Sequence, residues 1–204
     1  GSFANLGQLN IGAGSKFSVG GPGVFTQTSG KTVVDGTLQA ITLFINGGSL
    51  GGEGTVQAGI ANAGSLSPGN SPGTLTVLGD FTQASTGILE MELGGTLSGT
   101  EYDYLNIQGA FHADGALLVT LINGFDPVGD ENFNLLDWVA QSGAFAAIDL
   151  PQLRAGLSWD TSQLYSDGVL GVAGSAVPLP GSLWGFLTGL TAIFAKRKRE
   201  KGGK

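Results

Sequence analysis

Short runs of alternating aliphatic and polar residues, broken by glycine, occupy most of this 204-residue chain. Gly-Thr/Ser-aliphatic triplets recur at Gly36-Thr37-Leu38, Gly48-Ser49-Leu50, Gly54-Thr55-Val56, Gly64-Ser65-Leu66 and Gly73-Thr74-Leu75, about 6 to 12 residues apart. Val24-Phe25-Thr26-Gln27 returns as Asp80-Phe81-Thr82-Gln83. A period of two predicts short strands, and the glycines between them predict tight corners. Each strand is expected to turn aliphatics inward and Thr, Gln or Asn outward. One such coil cannot bury its own face, so the irregular repeat predicts a stack of coils, a degenerate solenoid.

Ser67-Pro-Gly-Asn-Ser-Pro-Gly73 is a turn cluster and divides the degenerate repeats, residues 1–73, from a more varied strand-rich part, residues 74–172. Strands are expected over 88–93, 102–107, 115–122 and 133–139, with the last ones between 164 and 172. A stack of coils must end in a polar or covered face, so 74–172 reads as final coils plus a cap. Residues 173–182 read as a spacer.

The end of the chain changes character. No charged residue falls between Gly168 and Ala195. Residues 183–195, with Leu183, Trp184, Phe186, Leu187, Leu190, Ile193 and Phe194, form an apolar stretch of about 20 Å as a helix. Counting back to Val177 lengthens it to roughly 28 Å, near the ~30 Å of a bilayer core. Pro180 fits the first helical turn and Trp184 an interface. Lys196, Arg197, Lys198 and Arg199 follow as a basic stop, opening the tail 196–204. Six of the nine Lys and Arg residues lie in that tail, which predicts a cytoplasmic C-terminus and an exported body. The chain opens at Gly1 inside a repeat, without a basic or apolar leader, so export predicts a longer precursor or a removed leader.

Charge and composition narrow the function classes. The body holds only Lys16, Lys31 and Arg154 as basic side chains against 15 acidic ones, which argues against nucleic acid as a partner. With no cysteine there is no disulfide framework and no thiolate metal site.

Val177-Pro178-Leu179-Pro180, the apolar stretch and the basic cluster together resemble the PEP-CTERM sorting signal of Gram-negative bacteria. The family motif usually reads Val-Pro-Glu-Pro, and Leu179 stands at the Glu position. The resemblance implies recognition of Val177, Pro178, Leu179 and Pro180 by an exosortase-type membrane enzyme, transient anchoring in the inner membrane, and a role in biofilm or extracellular polysaccharide. Ser67 to Val77 with Phe81-Thr-Gln83, and the downstream segments 101–109 and 150–159, resemble the passenger-associated repeat of autotransporter β-helix proteins. That resemblance implies a β-helix body. Autotransporters continue into a translocating barrel, whereas this chain runs into the apolar stretch and basic residues.

The search for chemistry leaves little. Gly30-Lys31-Thr32 looks like the end of a phosphate loop, but Phe25 occupies the position of the required first glycine. Gly12-Ala-Gly14 lacks the third glycine of a dinucleotide fingerprint. Glu90 and Glu92 share one strand face, as paired glycosidase carboxylates do, but simple alternation with Leu89, Met91 and Leu93 explains them. His112, the sole histidine, has Asp114 on its own strand face and could pair with it, but nothing marks a nucleophile nearby and it reads as a structural or surface residue. Asp126, Asp130 and Glu131 in a turn suggest a weak Ca²⁺ site. Tyr102, Asp103 and Tyr104 suggest sugar stacking or a strand with a turn carboxylate.

The sequence thus predicts an all-β chain, a parallel β-solenoid of the right-handed β-helix type with a capped C-terminal strand region, followed by one C-terminal transmembrane helix. The expected function is an exported, non-catalytic surface or matrix protein, with no catalytic residues, cofactor or metal. A permanently anchored β-helix adhesin and a β-helix polysaccharide lyase or hydrolase are the alternatives.

Overall fold

The alternation builds three parallel ladders of short strands that run the length of the body. The computed structural model describes residues 1–174. The sorting motif Val177, Pro178, Leu179 and Pro180, the apolar stretch 183–195 and the basic stop 196–199 lie outside the described residues. Ladder I stacks Ser2–Asn5, Val24–Gln27, 42–45, 59–62, Phe81–Gln83, Ala110–Ala113 and Ala140–Gly143. Ladder II stacks Gln8–Ile11, Lys31–Val34, Ser49–Gly52, Ser65–Pro68, Ile88–Leu93, Ala116–Leu121 and Ala147–Asp149. Ladder III stacks Lys16–Ser18, 37–39, 55–57, Thr74–Val77, Tyr104–Ile107 and Leu136–Asp137. The chain visits I, II and III in turn on every coil, which is a β-solenoid. Strands Thr37–Ile45 and Thr55–Asn62 run without a break around the corner from III to I, with a register shift between Gln39 and Thr42.

Alternation sends every second side chain into one core. Phe25, Leu38, Leu43, Leu50, Val56, Leu66, Leu75, Phe81, Leu89, Met91, Leu105, Phe111 and Leu117 are buried, each contributing roughly 1.5–3 kcal/mol where a large side chain leaves water entirely. Like residues meet along a ladder because register repeats: Phe3 lies against Phe25 with ring centroids 5.3 Å apart, and Phe81 stacks on Phe111 at 5.6 Å.

Polar side chains do not all face outward as expected. Asn5, Gln27, Thr32, Asn62 and Gln83 are buried. The four amides end ladder I strands, just before the corner into ladder II, and burial there costs little because each is bonded. Asn5 Nδ2 donates to Gln27 Oε1 at 3.2 Å and to Thr32 Oγ1 at 3.0 Å. Asn62 Nδ2 donates to Gln83 Oε1 at 2.9 Å and to Ile88 O at 3.2 Å. Gln27 and Gln83 donate onward to Ser49 O and Ala116 O. Every amide therefore reaches the strand that opens ladder II in the following coil and ties two coils together.

At the end of the stack a small antiparallel sheet forms from Asn132–Asn134, in the last corner between ladders II and III, with Val169–Gly174 and Leu157–Asp160. Phe133 meets Tyr102 edge-on at 5.4 Å, the Asn134 N–H donates to the Tyr102 hydroxyl, and Trp159 Nε1 donates to Pro151 O at 2.7 Å. The stretch 133–139, expected as one strand, is divided between this sheet and ladder III (Leu136–Asp137). The turn cluster at 67–73 does not end the solenoid. It forms the corner between ladders II and III in the fourth coil, and the ladders continue through it.

Candidate functional site

The outer face of ladder II carries a groove of about 300 Å³. Its floor crosses neighbouring strands in register, with Lys31 beside Ser49, Ser49 beside Ser65, Val33 beside Gly51, and Gly51 beside Ser67. Gly51 supplies no side chain, and a Cβ there would lie 2.7 Å from Ser67 O, so between Val33 and Ser67 the floor is backbone. Glu90 and Glu92, half-buried on the outer face of Ile88–Leu93, close one end, and Lys31 stands at the other. The Glu90 carboxylate accepts from Ser65 Oγ at 2.7 Å.

One wall is the corner 69–73, and it is fastened at three points. Gly52 and Gly69 exchange backbone hydrogen bonds of 3.1 and 2.8 Å. Asn70 Nδ2 donates to Asp35 Oδ1 at 2.9 Å. The Gly73 N–H donates to Asp103 Oδ1 at 2.9 Å, while Asp103 Oδ2 accepts from the Glu92 N–H at 2.9 Å. Asp103 is fully buried, and its carboxylate joins the wall of the groove to the strand that bears the two glutamates. Burial pushes its pKa up to about 7, against the two backbone donors, with the Glu92 charge adding to the rise.

Glu90 and Glu92 face out while Leu89, Met91 and Leu93 are buried, as their alternation predicts. Lys31 opens a ladder strand and Thr32 is bonded inside the core, so Gly30-Lys31-Thr32 is a corner and a strand with no phosphate-loop geometry. His112 and Asp114 do not pair, and the histidine is an exposed side chain of ladder I: His112 Nδ1 lies 3.0 Å from Ser142 Oγ across the ladder, and Asp114 accepts from the Gly115 N–H. Cross-strand neighbours in register approach more closely than residues two apart on one strand, which explains the switch. Asp126 of the acidic turn pairs with Arg154, and Glu131 accepts from the Val128 and Gly129 N–H groups. Among the described residues no three His, Cys, Asp or Glu side chains gather as a metal site. Tyr102 is buried against Phe133 and offers no platform for a sugar. The Tyr104 hydroxyl meets Asp137 at 3.2 Å, and burial, then that carboxylate, raise its pKa.

The buried amide row and the clasp made by Asp103 were not legible as such. The amides did leave a signal: Asn5, Gln27, Asn62 and Gln83 each stand shortly before a corner glycine. Asp103 reads as a turn carboxylate, but its partners do not, because Gly73 lies 30 residues upstream and Glu92 across a loop.

No family model and no curated protein matches this chain. Fold and groove define its class on their own, a parallel β-solenoid with a walled polar groove on one outer face.

Proposed function

We propose that this chain is an exported, non-catalytic surface or extracellular-matrix protein. In this reading it is a right-handed β-solenoid with a capped end, followed by a single membrane helix at 183–195. An exosortase-type enzyme recognises Val177, Pro178, Leu179 and Pro180, the basic stop at 196–199 keeps the C-terminus cytoplasmic, and the body passes from the inner membrane to the cell surface or the exterior. The observation that carries the reading is the order of Pro motif, uncharged stretch and basic cluster directly after a solenoid whose last described strand ends at Gly174. A stack of hydrogen-bonded coils with an acidic exterior suits an extracellular scaffold that stays soluble and presents long faces.

The test is the mature C-terminus of the protein recovered from its native host, read by mass spectrometry. Loss of residues beyond about 178 is the expected result. An intact tail through Lys204 in the membrane fraction overturns the sorting step and leaves an anchored β-solenoid adhesin.

A further inference from the structure

We propose that the groove on the outer face of ladder II binds an oligosaccharide bearing free amino groups. Ser49, Ser67, Asn70 and Ser71 present hydroxyl and amide groups around a floor that at Gly51 is bare backbone. Two strands lie between the one that carries Lys31 and the one that carries Glu90, and the three spacings amount to about 14 Å at ~4.8 Å each, room for a short run of linked rings. The wall is fixed by Gly52–Gly69, Asn70–Asp35 and Gly73–Asp103, so the site is built before any ligand arrives.

Other ligand classes fit poorly. The strands beneath the groove have ladder neighbours on both sides, so no edge is free for an added peptide strand. Few apolar side chains line the groove, so a lipid finds little to bury against. Nucleic acid and other polyanions meet Glu90, Glu92 and an acidic body. What remains is a ligand rich in hydroxyls, recognised by hydrogen bonds, with positive charge at the glutamate end. A protonated amino sugar supplies both, and its ammonium would form charge-assisted bonds to Glu92 and to the Glu90 oxygen that Ser65 leaves free.

The inference rests on the matrix reading for its setting, but the two fail separately, since tail processing and glycan binding are different measurements. The full chain is titrated calorimetrically with a glucosamine tetramer and with its fully N-acetylated counterpart. Saturable binding of the amine form is expected, with the acetylated form weaker by roughly tenfold or more. E90Q/E92Q is expected to lose affinity by roughly tenfold to a hundredfold at an unchanged melting temperature. Asp130→Asn, which removes an exposed charge outside the groove, is expected to bind as the parent does. If E90Q/E92Q melts early, Glu92→Gln alone carries the test. The proposal is overturned if the parent shows no saturable binding, if both tetramers bind equally, or if Asp130→Asn weakens binding as much as the glutamate changes do.

Discussion

Two corners of the same coil behave in opposite ways. The corner from ladder I to ladder II stays short throughout the stack: 6–7, 28–30, 46–48, 63–64, 84–87 and 114–115. The corner from ladder II to ladder III, 12–15 in the first coil, lengthens from the second coil on, from 35–36 and 53–54 through 69–73 to 94–103, and then to 122–135, which holds a strand of the antiparallel sheet. The first corner is closed from both sides. Outside, Gly7, Gly30, Gly48 and Gly64 stack so tightly that a Cβ on Gly30 would lie 2.0 Å from Gly7 O, one on Gly48 2.3 Å from Gly30 O, and one on Gly64 2.8 Å from Gly48 O. Inside, the amides of Asn5, Gln27, Asn62 and Gln83 bond across it. The second corner keeps a glycine column only in its first coils, where a Cβ on Gly36 would lie 2.4 Å from Gly12 O and one on Gly54 2.2 Å from Gly36 O, and beyond them it takes the longest insertions of the stack. The groove lies beside it, walled by its middle-sized member. A solenoid can thus keep its stacking on one edge and vary its surface on another, which is where loops that carry function belong.

The largest effect expected from breaking this contrast is at Gly48. Its φ of 70° and the approach to Gly30 both exclude a side chain. Gly48→Ala is expected to cost about 3–5 kcal/mol, from the left-handed backbone together with overlap that can be relieved only by parting two coils. Urea unfolding of the purified chain reads it as a lower midpoint with an unchanged slope. A loss below about 1 kcal/mol would mean that the glycine column is not what holds this corner closed.

Next comes Asp103, which fastens the open corner where Gly48 closes the other. Its folded-state pKa stands at about 7 against an ordinary 3.8, because burial disfavours the charged form. The folded protein therefore holds the proton more tightly than the unfolded chain. The stabilisation is complete below about pH 4 and is lost as pH rises through about 7, a decline on the order of 4 kcal/mol from this group. Asp103→Asn starts less stable, since its amide cannot accept from both Gly73 and Glu92, but its stability no longer declines across that window. Parallel pH slopes in the two proteins would place the titration elsewhere.

The contrast between the corners also marks how far the sequence could be read. Period-two alternation with glycine punctuation identified a parallel solenoid because both signals are local, one strand and one corner at a time. The inward faces of 88–93 and 116–121 follow from that alternation alone. The inward turn of Gln27, Asn62 and Gln83 was not readable, because an amide is buried only if a partner in the next coil is in register, and register is a property of the stack. His112 makes the same point, since its neighbour Ser142 is 30 residues away. The groove escaped for another reason. Its lining comes from four coils, and its one conspicuous pair, Glu90 and Glu92, is also what ordinary alternation produces.

A smaller effect is expected at Asn62, inside the closed corner. Its Oδ1 accepts from the Gly64 N–H at 3.2 Å, and its Nδ2 serves Gln83 Oε1 and Ile88 O. Asn62→Leu keeps the volume and strands these partners in the core, at a cost of about 2 kcal/mol. Asn62→Leu/Gln83→Leu should lose less than the sum of the two single effects, because the bond between the two amides is lost in each single variant but only once in the double. Ile45 already occupies the equivalent place between Gln27 and Asn62, buried without harm. A double variant that loses the sum of the two single effects would mean that the amides act separately and that the row is not a unit.

The smallest effect sharpens the contrast from the open side. Gly124 has a φ of 72°, nearly that of Gly48, yet a Cβ placed on it meets nothing within 4 Å. Gly124→Ala keeps the backbone penalty and drops the steric one, so about 1 kcal/mol is expected. The difference between the alanine variants at Gly48 and Gly124 then isolates what stacking adds at the closed corner, because the conformational term is common to both. Hydrogen exchange should separate them in the same way, with the Gly48 variant exposing amides of the coils on either side and the Gly124 variant only those of its own loop. If the two variants lose equal stability, the close approach of Gly48 to Gly30 contributes nothing, and backbone conformation alone explains why glycine occupies both places.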